Sequence, residues 1–163
     1  MSMYGLQYKD EIRIRESFPA VDKTVPVKMV RKEGRLGSRA MDLRLMGTTP
    51  EWFELVQRPL IAGRRLTQRD MDAFANVVVL TEFGARKLLA ASHTIGQPLR
   101  LGGGYYEVVG IVKSEDAQAG SMQTPDREVD AYIPLNVARE RFGDVVVRIS
   151  AGSREREMIE LHQ

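Results

Sequence analysis

The side chains that carry out most protein chemistry are few and scattered in this 163-residue chain. It contains no cysteine, which excludes disulfides, thiolate metal sites and cysteine nucleophiles. The two histidines, His93 and His162, are far apart in the sequence, and we interpret His93 as the end of a helix. No Gly-x-Ser-x-Gly motif surrounds a serine, so a serine nucleophile is not indicated.

Two groups of acidic residues are the remaining candidates for a cation site. Asp70 and Asp72 form one group, and Asp126, Glu128 and Asp130 form the other. A hard cation such as calcium takes about six to eight oxygen ligands from a compact loop. Neither group has that density, so the sequence predicts no metal site.

A run of three glycines, Gly102–Gly104, is the last candidate for chemistry. A phosphate-binding loop needs a lysine followed by serine or threonine at the start of a helix. Here Tyr105 and an apolar alternation follow, which predict a hairpin turn instead. The sequence therefore indicates no catalytic residue and no cofactor, and a hydrolase with converging acids in a cleft is the weaker alternative.

Charge and hydropathy narrow the class of protein further. The 24 basic and 22 acidic residues give a net charge of +2 and are intermixed, which is not the clustered basic face of a nucleic-acid-binding protein. Hydrophobic residues make up 43% and charged residues 28%, as in globular domains. No window reaches the roughly 20 apolar residues of a membrane span, and no signal peptide is predicted.

The clearest elements are two hairpins, one helix and one strand–helix unit. Alternating apolar residues over 25–29 and 41–45 flank a turn at 33–38 and predict the first hairpin. Thr49 and Pro50 begin a helix whose inward face is formed by Phe53 and Val56, with Trp52 as a further candidate.

The strand–helix unit starts at Val77–Leu80, which predicts a buried strand, and Thr81 caps the helix after it. On that helix Arg86 and Lys87 are expected to face solvent. Residues 98–111 form the second hairpin.

The remaining segments complete a mixture of strands and helices. The first segment fits a strand, because Ile12 and Ile14 alternate with arginines, but the stop at Pro19 favours a helix over 10–18. We further predict a strand over 129–135, a helix over 136–142, a strand over 145–149 and a last helix after Ser153 with Met158, Ile159 and Leu161 on one face. This mixture predicts an α+β fold over a largely antiparallel sheet. Because the last helix ends with the chain, we expect an excised piece of a longer protein.

A long polar segment over 114–127 is the candidate contact surface. Its length and polarity predict an exposed loop, which suits either a docking site or a plain connector. The partner-contact candidates are Ser114, Glu115, Asp116, Gln118, Gln123, Asp126 and Arg127.

Short motifs in a fixed order carry a resemblance to one known family. They are the helix at 10–21, the helix start Gly47–Phe53, the L-x-x-G-R sequence Leu60–Arg64, the acid Asp70, the strand Val77–Leu80 with Ala85 and Leu88, the turn Ile95–Gly96, the strand Tyr106–Val112 and the segment Ala131–Asn136. This series resembles the extracytoplasmic core domain of MacB-type ABC transporter permeases, a family that includes lipoprotein-release permeases. Leu89–Ala90 departs from the Leu-Phe and Gly often found there, and Gln97 replaces a frequent lysine.

The resemblance implies a two-lobed fold of mainly antiparallel or mixed sheets with short helices. A porter-like α/β lobe would comprise 1–72 and 125–163, and a smaller β-rich inserted lobe would comprise 73–124. The domain would lie between the first two transmembrane helices of the permease, on the periplasmic face of the cytoplasmic membrane.

The resemblance also implies a function. The domain would have no catalytic role. It would transmit conformational change and contact an adaptor or substrate during efflux or export. Its partners would be the cognate ABC ATPase and a second permease copy through the missing membrane part, together with a periplasmic adaptor protein. No nucleic acid is expected as a partner, and the fragment itself is expected to be monomeric.

The alternative is a free-standing soluble α+β module that binds a ligand or peptide. Hydrophobic segments of about 20 residues beyond both ends of the chain would favour the permease over this module.

Overall fold

The computed structural model describes residues 24–114, 128–144, 146–150 and 157–161. The helix predicted over 10–18 lies outside these residues. The strands are β1 (Thr24–Leu36), β2 (Arg39–Thr48), β3 (Leu60–Gly63), β4 (Val77–Thr81), β5 (Pro98–Leu101), β6 (Gly104–Val112), β7 (Ala131–Pro134), β8 (Val146–Ser150) and β9 (Glu157–Leu161). The helices are α1 (Pro50–Val56), α2 (Gln68–Asp72), α3 (Glu82–Leu88) and α4 (Leu135–Phe142), with a 3₁₀ turn at Ser92–Thr94.

Six strands form a closed ring of hydrogen-bonded pairs, in the order β1, β2, β7, β4, β6, β5 and back to β1. The β2–β7 and β4–β6 pairs are parallel, and the other pairs are antiparallel. Strand β3 pairs with the last residues of β6, and β8 and β9 extend the sheet from the first residues of β1. The predicted α+β class with a largely antiparallel sheet is confirmed.

Two helices cover the two ends of the ring. Strands β4 and β6 end beside each other at Thr81 and Val112, and α3 follows β4 there. We call this the α3 end. Helix α4 follows β7 at the opposite end, because β7 runs antiparallel to β4. The hydrophobic core inside the ring includes Ala85 and Leu88 of α3 and Ala138 of α4.

A second hydrophobic core lies on the outer face of the ring. Trp52 is fully buried there, and the Phe53 ring contacts the Tyr132 ring edge-on with centroids 4.9 Å apart. The inward direction predicted for Trp52 and Phe53 is therefore confirmed. Because α1 covers the outer face while side chains also fill the interior, Val77–Leu80 is buried on both faces, as its continuous apolar run predicts.

Both predicted hairpins are confirmed. The first turns at Gly37 and Ser38, and Gly37 has a φ of +59° that glycine adopts without strain. The predicted turn at 33–38 was too long, since residues up to Leu36 continue β1. The second hairpin turns at Gly102, whose φ is +61°.

The predicted last helix is wrong, because residues 157–161 form β9, antiparallel to β8. The edge of β8 that faces away from β1 offers unpaired backbone N–H and C=O groups, which a strand satisfies. A helix this short forms few backbone hydrogen bonds, and they do not offset the conformational entropy lost in ordering its first turn. The expectation of an excised piece was based on this helix, and the strand β9 removes that basis.

The predicted division into lobes stays a prediction. Within the described residues, β4 and β6 of the segment 73–124 hydrogen-bond directly to β7 and β3 of the rest of the chain. The two segments thus share one ring of strands.

Candidate partner-contact site

Ser114 begins the predicted contact segment at the α3 end. Its hydroxyl accepts a hydrogen bond from the Phe83 N–H at 3.1 Å, and its own N–H donates to Glu82 Oε1 at 3.3 Å. Ser114 therefore holds the end of β6 against the first turn of α3. The other predicted contact residues lie outside the described residues: Glu115, Asp116, Gln118, Gln123, Asp126 and Arg127.

Asp130 is a buried charge where the chain returns from that segment, with 1% of its surface exposed. Its Oδ2 accepts hydrogen bonds from Lys87 Nζ at 2.9 Å and from the Arg44 N–H at 2.8 Å. Glu128, two residues earlier, forms an ion pair with the Arg44 guanidinium. Asp130 therefore joins β2, α3 and the start of β7, and the ionic bonds fix where the segment re-enters the fold.

The expectation that Lys87 faces solvent is met only in part. Its side chain is 39% exposed and binds Asp130, whereas Arg86 is 69% exposed, as predicted. The sequence could not distinguish them, because Asp130 is distant along the chain. The structure likewise assigns Asp130 to Lys87 rather than to a cation shared with Glu128.

The backbone at Asp130 also fixes the position of α3. The Thr81 hydroxyl accepts a hydrogen bond from the Gly84 N–H at 3.1 Å, which confirms the predicted cap. The same hydroxyl donates to the Val129 carbonyl at 2.8 Å. A Cβ on Gly84 would lie 2.1 Å from the Asp130 carbonyl oxygen, so the helix approaches β7 too closely for any other residue.

Leu89 ends α3 in a conformation that favours glycine. Its φ is +56° and its ψ is +41°, which places a bulky residue in the left-handed region. It is also 70% exposed, so it gains little from burial.

We expect Leu89→Gly to stabilise the domain by about 0.5–1 kcal/mol, because it removes left-handed strain without opening a cavity. Urea denaturation measures this change. The control is Arg86→Gly, in the ordinary helical part of α3, which should destabilise by about 1 kcal/mol. Destabilisation by both variants would contradict the strain at Leu89.

A second polar cluster explains the L-x-x-G-R sequence and the acid that follows it. The Arg64 guanidinium donates two hydrogen bonds to the Asp70 carboxylate, at 2.8 and 3.1 Å. The Thr67 N–H donates to Asp70 Oδ2, and the Asp70 N–H donates to the Thr67 hydroxyl. This capping box starts α2 and fixes Arg64 beside β6.

Asp70 carries a perturbed pKa. Burial raises the pKa of its carboxyl, but the hydrogen bonds from Arg64 and Thr67 outweigh burial and hold it below the usual 3.8. The hydrogen bond to Asp70 in turn raises the pKa of the Arg64 guanidinium. Both shifts identify a charged pair that supports the fold.

A carboxyl whose pKa is lower in the folded than in the unfolded state stabilises the fold above about pH 4. That contribution is lost as the pH falls through the lower, folded pKa. We expect Asp70→Asn to flatten the decline in unfolding free energy between about pH 4 and pH 2. Urea denaturation at a series of pH values measures the slope. Asp72→Asn, at an exposed residue bonded to Gln68, should leave it unchanged, and equal slopes for all three chains would disprove the assignment.

The structure brings no catalytic group together within the described part of the chain. No three histidine, aspartate or glutamate side chains there are placed to hold a metal ion. His93 lies in the exposed 3₁₀ turn, and His162 is outside the described residues. The arrangement around Asp130 and Asp70 consists of structural ion pairs.

Comparison with protein families decides what this fold belongs to. The model of the MacB-like periplasmic core domain matches residues 3–160. The chain belongs to this family. The permease resemblance stated from the sequence is therefore confirmed.

Two curated relatives of the MacB-like domain are export ATP-binding/permease proteins. The pyoverdine export ATP-binding/permease protein PvdT of Pseudomonas aeruginosa is 23% identical over 133 residues, which are 82% of this chain and 20% of the relative. The macrolide export ATP-binding/permease protein MacB of Syntrophobacter fumaroxidans is 28% identical over 126 residues, which are 77% of this chain and 18% of the relative. The chain thus spans about a fifth of the length of these relatives.

Solved structures show the same fold. The periplasmic region of MacB from Actinobacillus actinomycetemcomitans aligns with a TM-score of 0.69 at 19% identity, over 91% of this chain and 64% of that one. The extracellular domain of the noncanonic ABC-type transporter YknZ from Gram-positive bacteria aligns with a TM-score of 0.67 at 17% identity, over 90% of this chain and 73% of that one.

Membership of a periplasmic domain family implies an extracytoplasmic location for the MacB-like domain. Among the residues that the structure describes, none of the helices has the length and hydrophobicity to cross a bilayer.

Proposed function

We propose that this MacB-like domain is the extracytoplasmic part of an ABC-type export permease, where it transmits movement of the membrane helices and performs no catalysis. The family match over residues 3–160 carries the proposal, because it includes β1 to β8 in full and all of β9 except Leu161. The polar clusters support it, since their charged side chains are bound to one another and hold strands and helices together.

The path of β1 supports a mechanical role. Its first residues pair with β8, its middle residues pair with β2, and Gly34 and Arg35 pair with β5. At roughly 3.3 Å per residue, a strand of this length spans about 40 Å. A displacement where the chain enters at Thr24 would therefore reach the ring through one continuous strand.

The two described ends of the chain both belong to the three-stranded extension formed by the start of β1 with β8 and β9. Thr24 begins β1 opposite Ser150 of β8, and Leu161 ends β9 opposite Val146, at the other end of β8. If membrane helices precede and follow the domain, as in the proposed permease, both connections start near this three-stranded extension. The α3 end, which includes Ser114, would then face away from the membrane.

The partners follow from this arrangement as part of the proposal. The ATPase and a second permease copy would act through the membrane helices, and a periplasmic adaptor would contact the segment with Ser114. Relatives named for macrolide and pyoverdine export favour export of small molecules over release of lipoproteins.

Distance measurements between spin labels test the transmission of movement. A cysteine at Ser38, in the exposed β1–β2 turn, would carry the label in both copies of the full-length transporter in lipid nanodiscs. We expect the distance between the copies to change when ATP replaces ADP. Identical distance distributions in the two nucleotide states would contradict the transmission.

A further inference from the structure

Strand β3 is an edge strand within the described part of the chain. It pairs on one side with β6, through Leu60 with Val112 and Gly63 with Gly110, and has no described partner on its other side. The register shifts between Leu60 and Ala62, so Ile61 bulges out of the pairing. An exposed edge strand offers free backbone groups to an added strand, and a bulge redirects its side chain.

Two large apolar side chains of β3 are exposed, and a third is exposed across β6 at the same end of the ring. Leu60 is 39% exposed and Ile61 is 51% exposed, and both lie on β3. Phe83, 37% exposed, lies in the first turn of α3, and its N–H is bonded to Ser114, two residues after the end of β6. Because Thr81, Val112 and Leu60 are opposite one another on adjacent strands, these side chains are at the same end of the ring.

Basic side chains flank the apolar ones of β3. Lys113 is exposed, and its backbone N–H is bonded to Pro59, immediately before β3. Arg65, two residues after β3, donates to the Arg58 carbonyl. The Arg64 charge is already neutralised by Asp70. The described residues beside β3 thus combine exposed apolar side chains with the cations of Lys113 and Arg65, whereas Glu82 lies across β6 and is bonded to the Ser114 N–H.

We propose that β3 binds an extended segment of a partner protein in which apolar residues alternate with carboxylates. Such a segment would add to the free edge of β3, cover Ile61 and Leu60, and place acids near Lys113 and Arg65. Charge disfavours a second copy of this chain, since pairing β3 with itself would bring two sets of the same cations together. The proposal deepens the proposed function, because this surface lies at the end that would face away from the membrane.

A synthetic peptide that alternates valine with glutamate tests the proposal on the purified 163-residue chain. We expect saturable binding in a calorimetric titration and slower amide exchange at residues 60–63. A peptide that alternates valine with lysine should not bind. Ile61→Ser should weaken binding of the glutamate peptide by at least about fivefold, and Lys113→Glu should do the same.

Matched variants keep the test specific. Tyr105→Ser, at a residue 60% exposed on the far end of β6, and Arg35→Glu, on exposed β1, should change the affinity less than about twofold. Failure of the unaltered chain to bind the glutamate peptide, or equal binding by Ile61→Ser, would overturn the proposal. The spin-label distances do not depend on this peptide, so failure of the binding surface and failure of the transporter function are distinguishable.

Discussion

Replacing Gly110 by alanine should destabilise the domain by more than about 3 kcal/mol, a large fraction of the stability of a domain this size. A Cβ on Gly110 would lie 1.8 Å from the Arg64 carbonyl oxygen and 2.8 Å from the Arg64 carbonyl carbon. These are backbone atoms, and the Arg64 N–H is itself bonded to the Val109 carbonyl at 2.8 Å. The clash can therefore be relieved only by separating β3 from β6. Urea denaturation measures the loss.

Gly103 provides the matched control for that substitution. It lies in the β5–β6 turn, and a Cβ there would meet nothing within 4 Å. Gly103→Ala should change the unfolding free energy by less than about 0.5 kcal/mol. Equal urea midpoints for the two alanine variants would contradict the close approach of Arg64 to Gly110.

Replacing Lys87 by methionine should have the second-largest effect, a loss of about 2 kcal/mol. The substitution keeps the length of the side chain but leaves the buried Asp130 carboxylate without its cation, which is the costly way to break a buried pair. The partial exposure of Lys87 keeps the loss below that of a fully buried pair. Urea denaturation at neutral pH measures it.

Two variants identify the cause of the Lys87→Met effect. Arg86→Met removes an exposed ion pair with Glu82, at 3.6 Å on the same helix, and should cost less than about 0.5 kcal/mol. Adding Asp130→Asn to Lys87→Met should recover part of the stability, because the buried charge is removed. If the double variant were the less stable of the two, the ion pair would not be the source of the loss.

The elements with strong local signals could be predicted from the sequence. The alternation around Gly37 predicts the first hairpin, and Pro50 in the first turn marks the start of α1, although the Thr49 side chain makes no capping hydrogen bond. The apolar run Val77–Leu80 followed by Thr81 predicts a buried strand and a capped helix, and both are present. In each case the residues that decide the structure are neighbours in the chain.

Elements that depend on distant partners could not be predicted. The closing β1–β5 contact joins Gly34 to Leu101, and no local pattern encodes it. The strand β9 was mistaken for a helix because its short apolar pattern fits both, and the open edge of β8 decides between them.

The partner-contact role of Ser114 stays a prediction. The structure adds its hydrogen bonds to α3, which no local pattern in the sequence indicates. Lys87 and Asp130 were missed as a pair. Gly110 interrupts an apolar strand sequence, and a glycine in such a position indicates that another backbone segment passes close to it. In the structure that segment is Arg64.

The location of the domain outside the cytoplasm is the central claim, and labelling of a single cysteine tests it directly. The 163-residue chain has no cysteine, so Ser38→Cys introduces a single thiol into this domain. Any cysteines in the rest of the full-length protein are first replaced, so that only this thiol can react. A membrane-impermeant maleimide should label this cysteine in intact cells as completely as in lysed cells. Labelling that occurs only after lysis would place the domain in the cytoplasm and contradict the account.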